Sequence, residues 1–465
     1  MKNHYLLLSF LLCLQIGTTQ AQYNILHNFK SNTGYFPWGS VILSNGKLYG
    51  MTNKGGANGE GCIFSVDTNG NGYKDFFDFN GTNGANPYGS LTLAGNKFYG
   101  MTSFGGINGY GCIFSIDTDG NAYKEILDFT STNGANPFGS LLFENGQLFG
   151  MTYAGGANNI GCVFSIDTNS SGYKDIFDFD GTNGEFPEGS LIFSGNMLYG
   201  MTYHGGTNND GCIFSIDTAG NTYKQLLDFN GFGKEPTGSL TLSGKTLFGV
   251  TNLGGLYASG NIFSIDTTGS NFKDLFDFDA TNGSYPHGSL SILGNTLYGM
   301  TEAGSTFSRG CIFSIDTNGN SFVDLFDFNG ANGKSPQLGS LTFSGNLVYG
   351  MTQLGGADSS GTLFNLNYIT AGVGNLNPIQ VEARIYPNPN NGSFQLGIRN
   401  YQLGIKSTVE IYNMLGEKIY SSPLPQTTKD ALIPIDLGSK SVGVYMYRIL
   451  SETDGLISDG RFVIQ

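Results

Sequence analysis

Catalysis needs its acids and bases once, so in this chain the side chains to examine first are those that are not repeated. They are Glu188 and Glu302, with Glu185 and Asp210 nearby in sequence, and the imidazoles of His204 and His287. Two carboxyl groups at a suitable separation could cleave a glycosidic bond, one donating a proton and the other acting as base or nucleophile. The imidazoles could serve as bases or metal ligands. Trp38, Tyr88, Phe138, Tyr153 and Tyr203 add flat apolar faces suited to stacking on sugar rings, with Asn, Glu and His as hydrogen-bonding neighbours. Other chemistries lack their residues. Arg309 is the only arginine between residues 22 and 370, and after residue 21 the histidines are His27, His204 and His287.

These residues stand out because the frame around them recurs. YGMTNKGGANGEGCIFSVDT from Tyr49 returns from Tyr99, Phe149 and Tyr199 with little change. Aligned on a Gly-Ser pair, the copies begin at Gly39, Gly89, Gly139, Gly189, Gly238, Gly288 and Gly339, a spacing of 49 to 51 residues. That period with strand signals alone predicts propeller blades. Each repeat holds four segments, here called strands a to d: SLTLA (90–94), KFYGMT (97–102), GCIFSIDT (111–118) and AYKEILDF (122–129) in the second copy. The seventh copy lacks strand d, whereas YNILHNF (23–29) matches YKDFFDF (73–79) and can complete it. The prediction is an all-β chain: a signal peptide at 1–21, a seven-bladed β-propeller of four-stranded blades over 22–370 closed by its N-terminal strand, a linker at 371–382, and a small Ig-like β-sandwich at 383–465.

In such a blade the b–c and d–a loops share one face. The residue before Gly-Ser runs Trp38, Tyr88, Phe138, Glu188, Thr237, His287, Leu338, and the pair after Met-Thr or Val-Thr is equally varied, as in Tyr153-Ala154, Tyr203-His204 and Glu302-Ala303. The turns of the other face hardly vary. Diversity confined to one mouth predicts a ligand face made of Trp38, Tyr88, Phe138, Tyr153, Tyr203, His204 and His287.

Bulk properties narrow the partners. The net charge is −14, with acids and bases balanced from residue 381 onward, so the body before it is acidic. That argues against nucleic acid and anionic lipid. Lys2, the apolar LLLSFLLCL (6–14) and Thr19-Gln20-Ala21 read as a secretory leader, and no later stretch is apolar for long enough to span a bilayer as a helix. Cys62, Cys112, Cys162, Cys212 and Cys311 share one repeat position, so they should lie too far apart to pair or to share zinc and read as small buried residues.

LYGMTxxGGxxxxGCIFSIDT with its apolar strand and Gly-Gly doublet resembles the kelch type of propeller repeat and, more closely, the GloVer repeat of exported bacterial proteins. That resemblance implies a propeller and no particular activity. YPNP (386–389), Gly392, Phe394, IYNMLGEKIY (411–420), GVYMYRI (443–449) and GRFVIQ (460–465) resemble the type IX secretion sorting domain. This implies secretion machinery as the partner of 383–465 and a secreted or cell-surface address.

Two recurrent motifs read as structural. Asp67-Thr68-Asn69-Gly70-Asn71-Gly72 resembles a calcium loop but degrades in other copies, so turn capping by carboxylates is the expectation, with calcium as its competitor and no other cofactor. Asp78, Asp128, Asp178, Asp228, Asp277 and Asp327 recur before the d–a loop and are expected to bond backbone. The function expected is a monomeric exported binding module for glycan. The alternatives are a carbohydrate-active enzyme using Glu188 and Glu302, and a protein-binding scaffold or adhesin.

Overall fold

The computed structural model describes residues 22–368, 382–399, 407–413, 418–424, 431–438, 440–451 and 455–465. The expected leader at 1–21 and nearly all of the expected linker lie outside these. The chain divides into two compact units, 1–372 and 373–465.

Between Tyr23 and Asn367 the strands form seven four-stranded antiparallel sheets. In blade 2 the strands are a (Thr92–Ala94), b (Lys97–Thr102), c (Cys112–Asp117) and d (Lys124–Asp128). Strand a is shorter than SLTLA suggests because its first residues are used at the axis. There the glycines of the Gly-Ser pairs meet. A Cβ on Gly39 would stand 2.5 Å from the Gly89 carbonyl oxygen, one on Gly89 2.2 Å from that of Gly139, and so around to Gly339, where it would meet Gly39 at 2.7 Å. Beside this ring the Ser40 N–H donates to Ser90 Oγ at 2.7 Å, the same bond recurs through Ser239, and Ser340 N–H returns to Ser40 Oγ at 2.7 Å.

Both faces of each blade are covered, so its strands read as continuous apolar runs. In strand c of blade 2, Ile113 packs toward blade 3 with Phe129, Leu148 and Phe164, while Phe114 and Ile116 pack toward blade 1 with Tyr49, Met51 and Phe79. Gly100 of strand b makes room for that ring, since a Cβ there would lie 2.5 Å from Phe114 Cζ. The recurrent aspartates do bond backbone: Asp78 Oδ1 accepts the Ala57 N–H at 2.8 Å and Asp128 Oδ1 that of Ile107 at 2.9 Å. The five cysteines are free and buried, and Cys62 Sγ lies 3.2 Å from Thr52 Oγ1. The calcium-like loops are c–d turns whose carboxylates cap local N–H groups, as Asp217 does for Ala219 and Asn221, or pair with lysine, as Asp67 does with Lys47 at 2.8 Å.

The last blade is completed from the start of the chain. Tyr23–Asn28 pairs antiparallel with Thr362–Asn367, Tyr23 stacks on Phe326 at 4.0 Å, and Phe29 is fully buried. Asn28 even takes the aspartate's place, its Oδ1 accepting the Ala357 N–H at 2.9 Å.

The second unit packs a three-stranded sheet (Glu382–Tyr386, Ser393–Arg399, Ala431–Asp436) and a four-stranded one (Lys418–Pro423, Ser407–Asn413, Gly443–Ser451, Gly455–Ile464) around Leu396, Ile398, Val409, Ile411 and Ile449. It is a small antiparallel sandwich.

A chain beginning at Lys30 should lose the outer strand of the last blade and the Phe29 anchor. Burying Phe is worth roughly 3–5 kcal/mol against truncation to Ala, so its melting temperature should fall sharply or the protein should aggregate through the bare edge. A melting curve equal to that of the chain beginning at Gln22, recorded by circular dichroism, would contradict this closure.

Candidate functional site

Each d–a loop is tied down on both sides before it reaches the axis. Glu185 exchanges backbone hydrogen bonds with His204 at 2.9 and 3.1 Å, and the Phe186 N–H donates to the Ile160 carbonyl of the preceding blade at 2.9 Å. The residue that follows the proline is then delivered to the rim of a mouth floored by the glycine and serine rings. The cavity enclosed by rim and floor, lined by Tyr88, Phe138, Glu188, Thr237 and Leu338 with the Gly-Ser residues beneath them, holds about 20 Å³. That is room for roughly one water, so the axis is closed at the level of the rim and a larger ligand would lie across the rim rather than enter it.

Half of the rim is aromatic. Trp38 lies 4.8 Å from Tyr88, Tyr88 4.7 Å from Phe138, Phe138 4.7 Å from Tyr153, and Tyr153 4.9 Å from Phe186. The structure therefore brings four of the expected ligand residues into one arc and adds Phe186. Beyond it the rim becomes acidic. Tyr203 donates its hydroxyl to Glu235 Oε2 at 2.9 Å, and its ring lies 4.3 Å from that of His204. His204 Nδ1 is buried without a hydrogen-bond partner. His287 Nε2 donates to Glu302 Oε2 at 3.0 Å, and the His287 carbonyl accepts from Thr237 Oγ1 at 2.9 Å.

The two carboxyl groups singled out by sequence sit in opposite environments. Burial pushes Glu188 up to about 7; nearby His287 acts against this and nearby Glu235 adds to it. Glu302 is held below the usual carboxylate range, chiefly by the hydrogen bond from His287 and in part by Gln337, against the effect of its burial. His287 interacts with both. Near neutrality Glu188 thus keeps its proton far more than Glu302 does, the pattern that separates acid from base.

Sequence reasoning missed Phe186, Glu235, Tyr285 and Gln337. The first three occupy the position before the loop proline, whose residues Phe36, Asn86, Asn136, Phe186, Glu235, Tyr285 and Ser335 all have φ between 52° and 56°. Asn tolerates this left-handed conformation and bulky residues do not, so Phe, Glu and Tyr are held there at a cost. The unusual variety before proline was the available signal.

Outside the mouth, a carboxyl pair recurs beside the buried cysteines. Cys162, Asp175 and Asp178 bring a thiol sulfur and two carboxylate oxygens within 4.8 Å of one another. In the equivalent pairs, burial and the neighbouring aspartate (Asp78 and Asp128) push Asp75 and Glu125 up to about 7.

Residues 13–207 and 187–364 match the Gloeobacter/Verrucomicrobia repeat. The chain belongs to the Gloeobacter/Verrucomicrobia repeat family. Residues 384–465 match the secretion system C-terminal sorting domain, so this repeat protein is exported by type IX secretion to the cell surface or beyond, and the secretion machinery is a partner of its tail. No helix among the described residues is long and apolar enough to cross a membrane. None of the curated proteins matches the sequence. Among solved structures, a puromycin-hydrolysing peptidase from Mycobacterium tuberculosis is similar at a TM-score of 0.50 and 9% identity, over 80% of this chain and 60% of that one. An oligogalacturonate lyase in complex with manganese is similar at 0.47 and 12%, over 75% and 93%. The repeat protein spans only 60% of the peptidase's length, and what they share is the fold.

Two outcomes follow from the mouth's electrostatics and strain. Raised carboxyl pKa values mean the folded state holds protons more tightly than the unfolded chain, so the stability they add is full below about 4.5 and is lost as pH rises through about 7. The melting temperature should therefore fall between pH 5 and pH 8, and Glu188→Gln should flatten part of that fall; a fall unaltered in the variant would reject the assignment for Glu188. Tyr285→Asn should relieve left-handed strain and raise the melting temperature by about 1–3 °C, whereas a drop would show that Tyr285 is held by packing.

Proposed function

We propose that the mouth of the loop face is a glycan-binding site, and that the type IX tail delivers this binding module to the cell surface or beyond. The observation that carries the reading is the continuous arc Trp38–Tyr88–Phe138–Tyr153–Phe186, which ends on Tyr203, Glu235, His287 and Glu302. Sugar rings present apolar C–H faces and a hydroxyl rim, and such a mouth offers both an aromatic wall and acceptors. Its acidic groups and lack of arginine favour a ligand without phosphate or sulfate.

A second reading is supported by the separated carboxyl groups. Glu188, still partly protonated near neutrality, could donate to a leaving glycosidic oxygen, while ionised Glu302, oriented by His287, serves as base or nucleophile. In this hydrolysis the C–O bond breaks, the leaving oxygen gains the Glu188 proton, and water supplies hydroxyl to the sugar and a proton to the enzyme.

One assay separates them. The protein is incubated with cellulose, xylan, β-1,3-glucan, mannan and polygalacturonate, and retention and new reducing ends are recorded in the same wells. Retention without release, weakened roughly tenfold in Trp38→Ala by the loss of one stacking ring, is the expected result. Release abolished in Glu188→Gln would establish the enzyme instead, and neither retention nor release would leave a protein-binding scaffold.

A further inference from the structure

The exposed large apolar side chains on the loop face gather chiefly on two sides of the mouth. The b–c loop of blade 2 carries Phe104, Ile107 and Tyr110, which are 41%, 83% and 41% exposed. That of blade 5 carries Leu256 and Tyr257, at 75% and 56%, and Phe232 of the adjoining d–a loop, at 64%, lies beside them. The Phe232 carbonyl accepts the Gly255 N–H at 2.9 Å and the Asn261 amide at 2.8 Å, which fixes it against that loop. Elsewhere the position of Tyr257 holds Asn58, Asn158 or Asn208, whose amide turns in to bond the carbonyl of Phe79, Phe179 or Phe229. Tyr257 cannot make that bond and displays its ring instead; Phe307 of blade 6, 52% exposed, repeats the exchange next door.

In a ring of seven, blades 2 and 5 lie across the axis from each other, with two blades between them on one side and three on the other. Both patches connect to the mouth. The Tyr110 carbonyl accepts the N–H of Asn136, two residues before Phe138, at 2.9 Å. The Ser259 carbonyl, next but one to Tyr257, accepts the N–H of Tyr285, two residues before His287, at 2.9 Å. None of the six patch side chains is charged, and the nearby Lys234 is paired with Asp210 at 3.0 Å.

From this arrangement we infer that the ligand is a neutral polysaccharide chain lying across the diameter of the loop face, its central sugars over the rim of the mouth and its flanking sugars on Phe104–Ile107–Tyr110 and Phe232–Leu256–Tyr257. The inference rests on the reading of the mouth as a glycan site. A globular partner or a second copy of this chain would call for one contiguous apolar patch. Two patches separated by a polar-edged mouth fit an extended chain that meets aromatic rings at intervals and is hydrogen-bonded at its centre. The rim alone would seat a short oligosaccharide, and the patches would add affinity only to chains long enough to reach them.

The test measures binding of the chain to di- to octasaccharides and parent polymers of cellulose, xylan, β-1,3-glucan and mannan, with polygalacturonate as the anionic polymer that should bind least; its preferential binding overturns the neutral ligand. Wild type is compared with Ile107→Ser/Tyr110→Ala, Leu256→Ser/Tyr257→Ala and Trp38→Ala. Affinity should rise roughly tenfold or more between the shortest and longest bound oligomers, the gain expected from one or two added stacking rings. Each patch variant should lose most of that gain while keeping the short-oligomer Kd within about twofold, and Trp38→Ala should weaken all lengths. Affinity independent of length, or patch variants that bind polymer as wild type does, overturns the diametral path and leaves the mouth standing. No binding of any length by wild type brings down both. Sedimentation showing a wild-type dimer that the patch variants convert to monomer assigns the patches to a second copy, and preferential binding of a reduced, unfolded polypeptide assigns the face to protein; either overturns the proposal.

Discussion

The constraint on which the rest of this molecule depends is the contact between glycines at the axis. Each Gly-Ser glycine sits so close to the next carbonyl that a single methyl would collide, at 2.2 to 2.7 Å, all the way around from Gly39 to Gly339 and back. Because nothing larger fits, the inner strands converge, the serine N–H groups reach the hydroxyls of the next blade, and the axis is sealed to a cavity of about 20 Å³. The seal leaves a closed mouth where a channel would otherwise run. Its wall has to come from the residue just before each glycine and from the b–c loop behind it, and those are the positions where this sequence abandons repetition.

The cost of the mouth is carried by the frame. Buried Phe and Ile from both faces of every blade, the aspartates bound to backbone, and the closing strand supply stability that is repeated around the ring. Against this the mouth holds Phe186, Glu235 and Tyr285 in left-handed backbone, buries Glu188, and leaves His204 Nδ1 without a partner. Such strained and unsatisfied groups cluster where structure is bent to a use. Glu188, His204, Glu235 and Tyr285 fall on blades 4 to 6, so the acidic wall is as localised as the aromatic one.

Much of this was legible in the sequence, and for a physical reason. Propeller blades interact with nearest neighbours, so a period of 49 to 51 residues carries the architecture almost by itself, and the unmatched YNILHNF announced the closing strand. Strand boundaries were less legible: strand a begins only at Thr92 in blade 2, because Ser90 is committed to the axial ring. The site residues before Gly-Ser could be picked out by their variation, and Trp38, Tyr88, Phe138 and Tyr153 do form one wall. What sequence could not supply was environment. The raised pKa of Glu188 comes first from its burial, opposed by His287 and increased by Glu235, which are 99 and 47 residues away in the chain and meet it only in the folded ring. Phe186 and Glu235 were hidden because a residue before proline reads as loop rather than as wall.

Trp38 is the only tryptophan in the chain and stands at the start of the aromatic arc. Its fluorescence therefore reports on the mouth alone. Titration of the protein with soluble oligosaccharides of whichever polymer retains it is the most direct test. The account predicts a saturable change in Trp38 emission whose midpoint equals the Kd from an independent binding measurement, and its loss in Phe138→Ala. Saturable binding that leaves Trp38 emission untouched would place the ligand elsewhere and contradict the account.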